Sequence, residues 1–385
     1  MGAIVVLIGI ALMIIVHEGA HFAAAKAFGM KATEAFFGFG PTLWSVRRGE
    51  TEYGIKAIPL GGYVKIIGMN PFEEVAPDEE ERTYRTAPFW KKSVVVLAGI
   101  ASHLVVAFAL FFIVTAAYGV PKTGPDGGPV PTTVVAAVSA VTPDGEPSPA
   151  AAAGVRPGDR IVEVDGRPIE SWSDFTEEVA SRPGADVEVV IERDGTRIPL
   201  QVTLATIQRP VVVDGEIVTG DDGEPITETV GFFGVSPELE TERPDVVAAV
   251  GIAARDMRVA VEQSVVGLWQ LVANFGKVVG AIFGGNDEIL DEVRPISPIG
   301  LVRIAGPVES SLVLLALVNV FVAVLNVVPL YPLDGGHFAV ALYEKVTGRE
   351  PDVRKLMPVA VVVFGFIVML GLIGIYLDIF KPIQL

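Results

Sequence analysis

Four long apolar runs punctuate the chain, at about Gly2 to Phe28, Ser93 to Val120, Val308 to Leu330 and Met357 to Phe380. Each supplies the ~20 apolar residues that a helix needs to cross hydrocarbon, so about four transmembrane helices are predicted. The first is interrupted in its C-terminal half, where "IIVHEGAHFAAAK" carries His17, Glu18, His21 and Lys26. Between the first two runs the period changes. "EAFFGFGPTLWSV" and "TEYGIKAIPLGGYVKIIGM" alternate aromatic and β-branched residues with Gly and Pro, which predicts strands and turns. Apolar strands flanked by membrane helices point to a membrane-associated sheet within residues 31–92. Its backbone must be paired or buried in protein. The acidic stretch "NPFEEVAPDEEERTYRTAPF" reads as a loop after it.

Beyond the second run, a Pro/Gly linker (121–130) leads into residues 131–206, where the pattern becomes that of a small α+β domain. "RIVEVDG" is an alternating strand, "SDFTEEVA" a capped short helix and "DVEVVIERDGTRIPLQVTL" a hairpin turning on Asp-Gly. Residues 207–243 read as linker and strands. Residues 244–307 read as an amphipathic helical region, with Arg255, Asp256, Arg258 and Glu262 on polar positions. Trp269, Phe275 and Phe283 are placed there to rest at a membrane interface. The third helix (308–330) and the fourth (357–380) flank a polar segment, 331–356.

Composition agrees with the pattern. Of the 385 residues, 51% are hydrophobic, and the mean hydropathy is +0.51. A wholly soluble protein would have to bury all four runs in one core. The net charge of −17 argues against nucleic acid, which calls for a basic face. With no cysteine, disulfides, thiolate metal sites and Cys nucleophiles are excluded together. No Lys or Arg precedes Lys26, so the basic start of a signal peptide is missing and a retained first helix is expected. Lys and Arg concentrate in residues 31–92 and 331–356, whereas the long region between the second and third helices is acidic. The positive-inside rule then puts both basic segments in the cytoplasm, and both termini and the acidic region outside.

The chemistry gathers around the four histidines, two of which lie in His17-Glu18-Gly19-Ala20-His21. This is H-E-x-x-H. On a helix, residues four apart share a face, so both imidazoles reach one ion, and Glu18 stands beside them to take a proton from water. At ~1.5 Å per residue, His17 lies roughly 20–24 Å along its helix, within the membrane. A charge there costs about 2.5 kcal/mol or more, which argues against accident. Two ligands leave a zinc site incomplete. The third is sought in "NVVPLYPLDGGH", Asn326 to His337, where Pro329 and Pro332 should break the third helix and Asp334-Gly335-Gly336 should make a turn. Asp334 is favoured as a hard oxygen ligand, with His337 its rival. His103, in the second helix, reads as a polar packing residue.

Taken together, these motifs resemble the site-2 proteases, zinc metalloproteases that cut membrane-embedded substrates. The features are an intramembrane H-E-x-x-H, a Gly-x-Gly strand segment, a PDZ-like "AGVRPGDRIVEVDGRPI" (Ala153 to Ile169) and N-x-x-P followed by L-D-G. The resemblance spans nearly the whole chain and is closest to the bacterial, actinobacterial-type branch with one PDZ domain. It implies a polytopic α-helical membrane protein with a membrane-associated β-sheet and an inserted extracytoplasmic α+β PDZ domain. The expected location is the bacterial plasma membrane, with the active site near its cytoplasmic side. By resemblance, His17, His21 and Asp334 bind one Zn²⁺, and Glu18 is the general base. Asn326 would contact substrate or help hold the oxyanion. Gly38, Phe39 and Gly40 match a hairpin that pairs with substrate backbone, and Ser297-Pro298-Ile299-Gly300 resembles the family's "GPIG". The implied partners are the lipid bilayer, single-span substrates such as anti-sigma factors, and a site-1 protease that cuts first. Two positions depart from the pattern: Ile100 and His103 stand where Pro and Asn are common. The rival readings are a membrane metal transporter, which lacks support from any inverted repeat, and a non-proteolytic PDZ scaffold.

Overall fold

A computed structural model of the chain describes residues 1–70, 73–125, 127–213, 216–220, 225–277, 280, 295–349 and 353–381. It divides into two units: Met1–Tyr118 with Pro244–Gln384, and Gly119–Arg243, inserted between them in sequence.

The first unit opens with helix α1 (Gly2–Ala27). It stops where Gly29 turns left-handed (φ +77°). Gly29 N–H donates to the Lys26 carbonyl and Met30 N–H to the Ala25 carbonyl, both at 3.0 Å. This is a Schellman cap, with Met30 packed back on Ala25. Strands β1 (Ala32–Arg48) and β2 (Thr51–Ile66) follow as an antiparallel hairpin, much longer than the short strands expected. The hairpin bends on itself. Ala32–Phe37 pairs with Gly62–Ile66 on one side and, through Glu34–Phe37, with Glu52–Ile55 on the other. The bends fall where Gly38, Gly40 and Gly61 hold positive φ. Lys26 at the end of α1 pairs with Glu50 in the hairpin turn, so it is tied to the sheet as well as placed to reach an interface. Arg82 grips the same carboxylate with two bonds of 2.8 and 2.9 Å. The two cations hold Glu50 down to about 2. Helix α2 (Phe89–Tyr118) then begins.

The inserted unit is built on five main strands: β3 (Pro131–Val138), β4 (Arg160–Val164), β5 (Asp186–Arg193), β6 (Thr196–Thr203) and, far along the chain, β9 (Val235–Leu239). Their order is β9-β3-β4-β5-β6. Short helix α3 (Pro149–Ala152) and helix α4 (Trp172–Ala180) lie between them in sequence. The Ser171/Asp174 capping box starts α4, as its sequence predicts. Phe175 and Val179 of α4 enter a core with Val135, Ile161, Val164, Val189 and Ile191. Strands β7 (Ala205–Pro210) and β8 (Thr227–Phe232) pair with each other. The unit therefore runs beyond the Thr206 boundary drawn from sequence, because β9 closes the sheet beside β3. Buried Asp159 staples the "GVRPGD" loop. It accepts two 2.7 Å bonds from Arg193 and one of 2.7 Å from Arg156 N–H.

The chain returns with α5 (Val246–Ala273), capped by Asp245. Its small residues Ala253 and Ala260 pack with Phe111 of α2. Ala316 and Val320 complete that cluster, so α5 is a packed member of the helical unit. Trp269 is exposed, Phe275 meets Phe366 edge-on, and Phe283 lies outside the described residues. Helix α6 (Pro298–Arg303) is capped by Ser297. Ser297 N–H donates to the Asp378 carboxylate at 2.8 Å, and any side chain at Gly300 would strike that same carboxylate. Helices α7 (Val308–Val327), α8 (Asp334–Thr347) and α9 (Val353–Phe380) complete the unit. Four helices among the described residues are long and apolar enough to cross a membrane: α1, α2, α7 and most of α9. Ile4, Leu7 and Leu12 of α1 and Val361, Val362 and Leu372 of α9 are exposed, as surfaces that face hydrocarbon must be.

Candidate metal centre

Three elements far apart in sequence converge on one point. His17 and His21 project from one face of α1. Asp334 is the first residue of α8, because Pro329 and Pro332 end α7 as expected. The sequence reading of Asp334-Gly335-Gly336 as a turn is corrected: these residues open a helix. An acidic residue in the first turn is favoured by the helix dipole. The glycines let α8 start against the end of α7, since a side chain at Gly335 would strike the Val327 carbonyl and one at Gly336 would lie 2.6 Å from the Tyr331 nitrogen.

The donor atoms are spaced for one small ion. His17 Nε2 lies 3.3 Å from His21 Nε2. The Asp334 carboxylate oxygen Oδ2 lies 3.7 Å from the first and 3.4 Å from the second. A tetrahedral ion with ~2.0–2.1 Å bonds sets its ligand atoms about 3.4 Å apart. His21 Nδ1 is 2.8 Å from the Val95 carbonyl, so it carries the proton and leaves Nε2 a lone pair. Asp334 Oδ2 is buried with no hydrogen-bond partner. Lone pairs and a carboxylate turned toward each other, with an orphaned oxygen among them, call for a cation. Among the described residues, these three form the cluster able to hold a metal ion. His337, the rival ligand, lies outside it and packs edge-on against Tyr331, ring centroids 4.5 Å apart.

Glu18 sits next to His17, half-buried, and the second half of β2 passes beside it. A side chain at Gly62 would lie 3.3 Å from Glu18 Cγ. Of the Gly-x-Gly segment, Gly38 is wedged against the Lys56 and Ile58 carbonyls at the bend, while Phe39 and Gly40 are exposed. Phe39 stacks on Tyr63. Asn326 is half-buried in the last turn of α7.

Helix α2 adds residues that sequence reasoning did not connect to the metal centre, His103 having been read there as a packing residue. Val95, Gly99 and His103 are spaced by four and form one stripe facing α1. Val95 gives its carbonyl to His21. Both imidazoles pack onto Gly99, where a side chain would overlap the His21 ring and approach His17 Cε1 to 2.7 Å. His103 stacks on His17, and Asn319 of α7 reaches His103. The "AGIASHL" spacing held a signal for this stripe, but which way it faces depends on how α2 packs.

An apolar helical bundle with two histidines and an aspartate converging inside it defines a metallopeptidase-like centre within the membrane-spanning unit. The profile of peptidase family M50 matches residues 5–370, and the chain belongs to that family, the site-2 proteases. It is 35% identical over 414 residues to the zinc metalloprotease Rip1 of Mycobacterium bovis, covering 100% of this chain and 97% of that protein. It is 33% identical to the zinc metalloprotease Rip1 of Mycolicibacterium smegmatis, with the same coverage, 100% and 97%. Among solved structures, the PDZ domain of the SdrC-like protein from Listeria monocytogenes is 21% identical, covering 29% of this chain and 93% of that one, at a TM-score of 0.17.

Proposed function

We propose that this chain is an intramembrane zinc metalloprotease that hydrolyses peptide bonds in or near the membrane-spanning segment of single-span proteins. His17, His21 and Asp334 hold the ion. One observation carries the reading: three donors at tetrahedral spacing, 3.3, 3.4 and 3.7 Å apart, on helices of a membrane-spanning unit. Bound zinc polarises the scissile carbonyl and lowers the pKa of water toward ~7. Glu18 takes the proton of the attacking water and returns it to the leaving amine. The amide of Asn326 holds the substrate and donates to the developing oxyanion. A helical substrate must unwind to expose its carbonyl. The hairpin then receives it as an added strand at Gly38, Phe39 and Gly40, with the Gly62 edge leading to Glu18.

The inserted unit is read as a PDZ-type domain on the extracytoplasmic side, where it hinders substrates with bulky outer domains. The positive-inside pattern supports that side, and supports an active site toward the cytoplasmic face. Anti-sigma factors already cut by a site-1 protease are then the natural substrates. Deleting Gly119–Arg243 should allow uncut substrates to be cleaved; unchanged dependence on the first cut would refute this role.

The test of the activity is incubation of the detergent-solubilised chain with a single-span substrate, with and without a chelator. Chelation should stop cleavage, and zinc should restore it. Glu18→Gln should abolish cleavage with zinc still bound. Cleavage by that variant would show that another group moves the proton.

A further inference from the structure

The two imidazoles beside Asp334 are held in different ways. His21 is oriented by its bond to the Val95 carbonyl. His17 Nδ1 is buried beside the Gly99 backbone without a hydrogen bond of good geometry. A metal-binding imidazole normally gives its second ring N–H to an acceptor, which sets ring rotation and tautomer. For His17 that contact alone is a weaker restraint than the one on His21.

What it has is a stacked neighbour. The His103 ring lies over His17 with centroids 4.7 Å apart and planes at 30°. His103 is itself fixed: it is 3% exposed, and its Nδ1 is 3.0 Å from Asn319 Oδ1. Asn319, 2% exposed, gives its amide nitrogen to the Leu315 carbonyl at 2.8 Å. With that nitrogen donating, Oδ1 is the acceptor, and His103 Nδ1 carries the proton. The chain of contacts runs from the backbone of α7 through Asn319 and His103 to a ring on α1. Two polar side chains buried among apolar helices are costly unless each satisfies the other, so each fixes the other's rotamer.

We propose that His103, anchored by Asn319, is a positioning residue that sets the rotation of the His17 imidazole, adding to the weak backbone contact of His17 a fixed ring stacked against it. The inference rests on the zinc reading of His17, His21 and Asp334. It assigns a role to the one histidine of α2, at a position where the family pattern commonly has Asn.

The test measures metal rather than turnover. Zinc affinity of the purified full chain in detergent is read by chelator competition, and ligand geometry by the visible spectrum of the cobalt(II)-substituted protein. Asn319→Leu, which removes the acceptor and keeps the volume, should weaken zinc about ten-fold or more and alter the cobalt spectrum. If Asn319→Leu does not fold, His103→Phe is read in its place; it keeps a ring against His17 and loses the tether, and the same loss is expected. Unchanged affinity and spectrum overturn the proposal, even if thermal stability falls, because the pair would then be only structural. His17→Ala separates the two levels: it must lose the metal. If it retains zinc at full affinity, the zinc assignment falls, and this proposal with it.

Discussion

Gly99 packs on both imidazoles and Gly19 lies between them in sequence, yet the two glycines differ in what surrounds them. A side chain at Gly99 would overlap the His21 imidazole, whereas nothing lies within 4 Å of the space a Gly19 side chain would fill. Gly99→Ala should therefore abolish zinc binding, measured as metal per chain after dialysis. Gly19→Ala should leave zinc bound and stabilise α1 by up to about 1 kcal/mol, the helix cost of an exposed glycine. From sequence, Gly19 invites the reading that it thins the helix for close packing; its position on the open side of α1 removes that role. His17, Glu18 and His21 were legible because their spacing is local and a helix face follows from it. Gly99, His103 and Asn319 were not, because their part in the site exists only once α2 and α7 dock on α1.

The elements show the same division between local and long-range information. Proline positions announced the end of α7, and the Asp-Gly turn and capping box of the inserted unit were readable residue by residue. The start of α8 was not, since "LDGG" suits a turn and a tightly packed helix start equally well. Packing decides it: a side chain at Gly335 would strike the Val327 and Val328 carbonyls. Gly335→Ala should push the start of α8, and Asp334 with it, away from α7. A shift near 1 Å at a reacting group can cost ~10²-fold, so cleavage should fall by about that factor while the protein stays folded. Initial rates on a single-span substrate, set beside a melting curve, check this. Lys92 at the start of α2 reinforces the same helix through a 2.5 Å ion pair with Glu344 of α8.

At the level of the molecule, the apolar runs and charge balance made the membrane-spanning class legible, and the exposed apolar faces of α1 and α9 agree with it. The extent of the inserted unit was hidden, because β9 joins β3 across about a hundred residues of chain. That unit also carries a pH response. Arg193 and the Arg156 N–H hold the Asp159 carboxyl below the usual carboxylate range. A depressed folded-state pKa contributes stability that is present above the unfolded value, ~3.9, and is lost as pH falls through the folded one. Protection of the β5 amides of the full chain, taken relative to their intrinsic exchange rates, should be high at neutral pH and fall below about pH 4. Asp159→Asn should speed that exchange at neutral pH and flatten its acid dependence. It leaves Arg193 without its charged partner and the Arg156 N–H with a weaker acceptor. An unchanged acid profile in that variant would assign the response to another group.

The central claim is that two histidines of α1 share one ion with an aspartate more than three hundred residues away. Zinc per chain, measured on purified wild type, Asp334→Ala and His337→Ala, tests it most directly. The account predicts about one zinc for wild type and His337→Ala, and almost none for Asp334→Ala. Zinc retained at wild-type affinity by Asp334→Ala, or lost from His337→Ala, would contradict it.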